Sequence, residues 1–187
     1  MTINSRTLSI GLLAVAAACS PKTDDASSAA ADGAPPSPSG FQVTETGIGP
    51  LMAGMSVARG EAILKTSLAA PAGSDSSGCR YAAWGGGPPG LRLMIEGNDI
   101  VRVDVDSGPV ATSTGARVGD TEERILSLYP GRVAVGPHKY TKGHYLTVTP
   151  ANPADSAFRL IFETDGKVVT RYRSGKRPQV EYVEGCG

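Results

Sequence analysis

An α+β fold built on antiparallel sheet is what this sequence predicts, and three observations predict it. Runs of alternating apolar residues end in tight-turn residues, which marks hairpins. Two short helix starts stand well apart in the chain. The order helix, strand, strand, strand then occurs twice, within about residues 47–107 and 115–187. That order favours two related modules, each a short helix packed on an antiparallel β-meander, over a parallel βαβ arrangement.

The first helix opens at Gly54-Met55-Ser56, where Ser56 carries a hydroxyl suited to cap a helix N-terminus. It continues through Val57, Ala58 and Arg59 to the apolar Ile63, Leu64 and Leu68. The Pro71 region is its expected end, because proline lacks the N–H that a helix interior needs. The second helix opens at Gly119-Asp120-Thr121, with Glu122 and Glu123 in the first turn, where the positive end of the helix dipole favours acids. Ile125, Leu126, Leu128 and Tyr129 supply its apolar side, and Pro130-Gly131 stops it.

The strands carry the clearest similarity. Leu91-Arg92-Leu93-Met94-Ile95-Glu96 matches Phe158-Arg159-Leu160-Ile161-Phe162-Glu163 almost class for class. Turns follow at Gly97-Asn98-Asp99 and at Thr164-Asp165-Gly166-Lys167, then Ile100-Val101-Arg102-Val103 and Val168-Val169-Thr170-Arg171. Asp-Gly is a strong hairpin signal. Alternation puts Leu91, Leu93 and Ile95 on one face, and Phe158, Leu160 and Phe162 likewise, so these six are the expected core. Cys79-Arg80-Tyr81 and Gly143 to Val148 read as one further strand upstream of each hairpin.

Ahead of the folded part stand Arg6 and the apolar run Leu8 to Ala18, broken only by Ser9 and Gly11. A charged start, a short apolar run and small residues describe an export signal at residues 1–18. The run is about half the ~20 residues that a membrane-crossing helix needs. Ala16-Ala17-Ala18-Cys19 resembles the bacterial lipobox, with Ala16 where leucine is usual. The resemblance implies cleavage before Cys19 and acylation of its thiol, and two or more acyl chains anchor a protein stably. The alternative is an ordinary secretory signal cut near Ala18, leaving a free thiol. Ser20 in place of Asp implies, by the sorting rule of some Gram-negative bacteria, an outer-membrane protein facing the periplasm. Residues 20–40 hold Ala, Ser, Pro, Asp and Gly with no aromatic or large aliphatic residue, the composition of a flexible tether. The expected organisation is thus a signal at 1–18, a lipidated N-terminus and linker at 19–40, and a folded part at 41–187.

Lys+Arg and Asp+Glu each number 18, so the formal net charge is +0, and removal of the signal takes away only Arg6. A nearly neutral chain has no electrostatic reason to bind nucleic acid. With Cys19 lipidated, Cys79 and Cys186 remain, and an oxidising compartment favours a disulfide between them. It closes a loop of roughly a hundred residues, which the chain-entropy account values at about 4 to 5 kcal/mol. No CxxC spacing supports reduced, metal-binding thiols.

A helix opened by Gly54-Met55-Ser56 and followed by an antiparallel meander resembles small modules of bacterial envelope proteins. One is the outer-membrane assembly lipoprotein family called SmpA/OmlA, or BamE-like. Another is the β-lactamase inhibitory protein family, which repeats a helical pair on a four-stranded sheet. The run Gly47-Ile48-Gly49-Pro50-Leu51 together with Gly54-Met55-Ser56 also looks like one found in many exported bacterial proteins. These resemblances imply a binding scaffold without catalysis. A second helix per module is not visible in this sequence.

Candidate chemistry is sparse. His138 and His144 flank an expected hairpin and are weak candidates for a shared metal or an acid/base pair, but a metal site needs a third ligand and no HExxH or HxH supplies one. Asp104 and Asp106 share a strand face about 7 Å apart, a separation that also suits paired carboxylates in glycoside hydrolysis; a solvated strand face is the plainer reading. The related strand carries Arg171 and Arg173, with Arg177 beyond, which is either cross-strand charge pairing or a basic patch for an anionic partner. Gly85-Gly86-Gly87-Pro88-Pro89-Gly90 lacks the Lys-Ser/Thr and the helix of a phosphate loop. Trp84, the one tryptophan, is a core residue or a partner-facing anchor.

The expectation is a non-catalytic, lipid-anchored cell-envelope protein that binds another protein or an envelope component and needs no cofactor. Its partners are then the membrane, through lipidated Cys19, and an envelope protein met through Trp84, Arg171, Arg173 and Arg177. The alternatives are a periplasmic or cell-surface hydrolase acting on cell-wall material and an inhibitor of a secreted hydrolase.

Overall fold

The computed structural model describes residues 41–69 and 78–187, with Thr2 besides. In chain order its elements are β1 (Val43–Thr44), β2 (Gly47–Ile48), β3 (Leu51–Met52), β4 (Met55–Ser56), α1 (Val57–Leu64), β5 (Leu68–Ala69), β6 (Cys79–Trp84) and β7 (Leu91–Glu96). Then come β8 (Asp99–Val105), α2 (Glu122–Leu128), β9 (Val133–Pro137), β10 (His144–Val148), β11 (Phe158–Thr164) and β12 (Val169–Lys176). Single 3₁₀ turns lie at Pro153–Asp155 and Gln179–Glu181. Two short helices on a large antiparallel sheet make the fold α+β. The sheet runs β5-β6-β7-β8-β12-β11-β10-β9, and β4 adds to β8. Along that path, neighbours in the sheet are neighbours in the chain except at the centre, where β8 meets β12 through Tyr172↔Val105, Arg173↔Asp104, Ser174↔Val103 and Gly175↔Arg102.

Both helices are seated on the sheet by the same set of bonds. Gly54 and Gly119 hold φ of 96° and 93°, the left-handed region that glycine enters without steric cost. Their N–H groups donate to Ile100 O at 2.7 Å and Val169 O at 2.8 Å. Three residues on, Val57 N–H donates to Asn98 O and Glu122 N–H to Lys167 O. The cap expected at Ser56 is present, and Thr121 forms the same one: Ser56 Oγ accepts from Arg59 N–H and Thr121 Oγ1 from Arg124 N–H. Each helix start is therefore tied to the hairpin turn and the beginning of the last strand in the meander that follows it. Paired hydroxyls Thr44–Thr46 and Thr112–Thr114, 3.1 and 3.0 Å apart, mark a second repeated run, Thr-x-Thr-Gly.

One face of the sheet carries the core. Leu91, Leu93, Ile95, Leu160, Phe162 and Tyr172 are buried there with Ile125 and Tyr129, and each such aliphatic side chain contributes ~1.5–3 kcal/mol. At α1 the closest approach is Gly60, where a Cβ would stand 2.8 Å from Ile100 Cδ1. Tyr129 and Tyr172 bury their rings with the hydroxyls satisfied, donating to Thr112 Oγ1 at 2.9 Å and Val110 O at 3.0 Å.

The structure differs from the sequence reading in several places. Helix α1 ends at Leu64, well before the Pro71 region, because Lys65 turns left-handed at φ 54° and Leu68 pairs in β5 instead. Phe158 is only half-buried, since it opens β11 opposite Lys176 at the limit of the paired region. The short strands β1 to β3 and the strand β9 go beyond the one strand expected upstream of each hairpin; β9 contains Gly136 and Pro137, which blur its alternation. The signal, Cys19 and the linker lie outside the described residues.

Ser174 Oγ is buried with no hydrogen-bond partner among the described residues. Ser174→Ala removes that unsatisfied group and is expected to stabilise the protein by about 1 kcal/mol. A urea midpoint that rises at unchanged m-value is the expected result; a midpoint that falls contradicts the assignment.

Candidate functional site

Alternation sends every second side chain of the central strands to the face opposite the core, and on these strands many of those residues are charged: Arg92 on β7, Arg102 and Asp104 on β8, Glu163 on β11, Arg171 and Arg173 on β12. Charges at the centre of a wide sheet cannot remain buried without partners. The C-terminal segment supplies them. After Lys176 the chain turns back over this face, with Val180 fully buried. Arg102 Nη1 donates to Gln179 O at 3.0 Å and to Tyr182 O at 2.7 Å. Arg173 Nε donates to Val180 O at 2.6 Å. Beyond Tyr182 the segment is held by Glu184, bonded to Lys139 and Tyr140, and by the disulfide Cys79–Cys186, with Cα atoms 5.4 Å apart.

Beneath the segment two ion clusters sit side by side. Arg102 grips Asp104 bidentately, at 2.8 and 2.7 Å, and donates to Tyr81 OH at 2.7 Å. Burial works against the Arg102 charge, yet the Asp104 carboxylate outweighs it and holds the guanidinium above its ordinary range. Burial pushes the Tyr81 phenol up, and Asp104 adds to that. Buried Glu163 pairs with buried Arg173, meets Arg171 Nε at 3.7 Å and His138 Nε2 at 3.3 Å. His138 Nδ1 accepts from Tyr140 N–H and Thr141 N–H, at 3.1 and 3.2 Å. That assigns the imidazole proton to Nε2, where it donates to Glu163. A cleft of about 160 Å³ opens between this face and residues 183–185, lined by the first cluster, by Glu163, Arg171 and Arg173 of the second, and by Arg92 and Asp106.

The structure disperses the candidate catalytic groups. His144 Nδ1 lies 2.9 Å from Glu122 Oε1, which also accepts from Thr164, so the two histidines serve different carboxylates. Asp104 is taken up by Arg102, and Asp106 pairs with Arg92 at 3.2 Å. Among the described residues no three His, Cys, Asp or Glu side chains gather as a metal-ligand set. Trp84 is buried, its ring 5.7 Å from that of Phe41, with Gly87 closed against it, so its surface belongs to the core. Arg173 is buried and inward-turned, not part of a basic patch. Arg171 and Arg177 are exposed, Arg177 paired with Glu181 at 2.7 Å.

Arg102, Tyr81 and Glu163 are the main members of this face that the sequence reading did not single out. For Arg102 the signal was present in the alternation of Arg102 and Asp104 with Val101, Val103 and Val105; the covering by the C-terminal segment left no periodic trace. No helix of the described residues is long and apolar enough to cross a membrane. Comparison with protein families, with curated proteins and with solved structures finds no match.

Arg173→Met leaves the buried Glu163 without its main partner and frees Val180, and a loss of about 3 to 5 kcal/mol is expected, read by urea denaturation. Arg171→Ala, at an exposed pair, should cost no more than about 1 kcal/mol. Acid sensitivity is expected at Glu122: burial opposes its charge, but hydrogen bonds from Thr164 and His144 prevail and hold the carboxyl below its usual range. A carboxylate depressed in the folded state stabilises above its ordinary value and loses that contribution as pH falls through the folded one, here below about pH 5. In Glu122→Gln that part of the acid dependence should vanish.

Proposed function

We propose that this chain is a lipid-anchored cell-envelope protein made of two related α+β modules, and that it binds a partner protein without catalysing a reaction. The observation that carries this reading is that the four candidate catalytic side chains do not converge and that each is paired with a different group within the fold. His138 is fixed by two amides and Glu163, His144 by Glu122, Asp104 by Arg102 and Asp106 by Arg92. The export signal, the lipobox-like Cys19 and the Cys79–Cys186 disulfide support an address outside the cytoplasm. The resemblance carried by Gly54-Met55-Ser56 supports a scaffold role.

The surface best suited to a partner is the open edge of β9. His138 N–H donates to Gly143 O and Thr149 N–H to Arg132 O, so residues 132, 134, 136 and 138 turn their backbone groups toward β10. Val133 and Val135 therefore turn N–H and C=O outward, and Pro137 its C=O, with no strand paired to them among the described residues. Val135 is 53 % exposed beside them. An edge of this kind accepts an extended segment of another protein by strand addition.

Val135→Pro removes one outward donor and leaves the β10 ladder intact. A partner recovered stoichiometrically from solubilised envelopes by the wild type and by His138→Gln/His144→Gln, but lost with Val135→Pro, is the expected outcome. Recovery of a bound metal and no partner sinks the binding reading. For the anchor, palmitate label is expected on the wild type and absent from Cys19→Ala; label on the variant refutes lipidation at Cys19.

A further inference from the structure

The geometry points to a binding site for a small zwitterion, a molecule carrying an ammonium and an anionic group a few Å apart, in the cleft of about 160 Å³ between the charged sheet face and residues 183–185. The site stands apart from the β9 edge, so the two readings fail or hold separately.

Size comes first. An apolar cavity of about 150 Å³ holds benzene, so this cleft suits a molecule of under about ten heavy atoms and excludes a folded partner or a sugar chain. Charge comes second. The lining carries guanidiniums from Arg92, Arg102, Arg171 and Arg173 and carboxylates from Asp104, Asp106, Glu163 and Glu184. The inner four, Arg102 with Asp104 and Arg173 with Glu163, are spent on each other and on the C-terminal carbonyls. Of the outer groups, Glu184 is bonded to Lys139 and Tyr140, and Asp106 to Arg92 and Ser107, while the arginines keep donors to spare. Arg171 meets only Glu163, at 3.7 Å through Nε, a carboxylate already shared by Arg173 and His138, so its two terminal nitrogens have no partner among the described residues. Arg92 spends one nitrogen on Asp106 at 3.2 Å and stacks 4.8 Å from the Tyr81 centroid.

An anion alone would gain Arg171 and Arg92 but stand against Asp106 and Glu184, and a cation alone would meet the reverse. A ligand bearing both signs places its anionic group on the free fork of Arg171 and its ammonium against Asp106, an exposed carboxylate with acceptor capacity beyond its contacts to Arg92 and Ser107. Guanidinium forks bind carboxylate and phosphate bidentately, which gives the orientation. An α-amino acid and a phosphoethanolamine headgroup share this chemistry, the first free in solution and the second presented by membrane lipid.

The test is calorimetric titration of the purified full-length protein with glycine and with O-phosphoethanolamine, against acetate and methylammonium as single-charge controls. A Kd at or below about 1 mM for one of the zwitterions is expected, at least tenfold tighter than either control and weakened at least tenfold in Arg171→Ala. Binding of glycine alone identifies a free amino acid, and binding of phosphoethanolamine alone identifies a lipid headgroup; either supports the site. No heat from either zwitterion, equal binding of acetate, or unchanged binding by an Arg171→Ala protein of wild-type thermal stability overturns it.

Discussion

The pairing of β8 with β12 is the constraint on which the rest depends, because it turns two meanders into one sheet. On one side it merges their apolar faces: the rings of Tyr129, Phe162 and Tyr172 stand in succession, with centroids 5.9 and 5.4 Å apart, and one buried cluster takes in residues from Val43 to Tyr172. On the other side it sets Asp104 directly across from Arg173, at the middle of the sheet and far from either edge. A single strand contact thus creates both a shared core and a charged interior face. The two demand opposite solutions, apolar packing for one and paired, hydrogen-bonded charge for the other.

The charged face is stable only as a set. Removing two charges from water costs several kcal/mol per ion, and attraction between them repays that only when the remaining donors are satisfied. The geometry meets this condition with main-chain carbonyls, which accept from guanidinium without adding charge. Gln179, Val180 and Tyr182 provide three such acceptors in succession. The disulfide then has a physical task beyond restricting the unfolded chain, since it holds the penultimate residue against the first residue of β6 and keeps residues 183–185 over the cleft. Glycine at 185 is required there, because a Cβ would stand 2.5 Å from the Tyr81 hydroxyl.

What the sequence disclosed follows from which interactions leave a local pattern. Helix caps, hairpin turns and strand alternation are local, so Ser56, Thr121, Asp165-Gly166 and five of the six expected core residues are where their neighbours imply. The disulfide was legible by elimination among three cysteines. The covered face was not, because alternation tells which side a residue points to and nothing of what lies over that side. Arg173 looked like one member of a basic patch with Arg171, yet the first is buried and the second open, a difference made by a segment seven to ten residues further along the chain. Trp84 was ambiguous for the same reason: its cover is Phe41, outside any periodic relation to it.

The central pair also bears on how such a sheet arises. With the two modules taken as related, the repeated bonds make Ile100 equivalent to Val169 and Asn98 to Lys167, and therefore Asp104 to Arg173. The residues facing each other at the centre are thus equivalent to each other, so the twofold relation between modules passes through them. Two identical copies joined in this way would set one side chain against itself, carboxylate on carboxylate or guanidinium on guanidinium, and like charges directly opposite destabilise a strand pair. On one chain the two positions need not carry the same residue, and Asp104 opposite Arg173 is a pair of opposite sign that avoids this conflict. Asp104 pairs with Arg102 and Arg173 with Glu163, so the two charges sit in separate ion pairs. The same asymmetry left Arg171 short of partners, since its equivalent Arg102 is gripped by Asp104 and the C-terminal segment while Arg171 faces a carboxylate already in use.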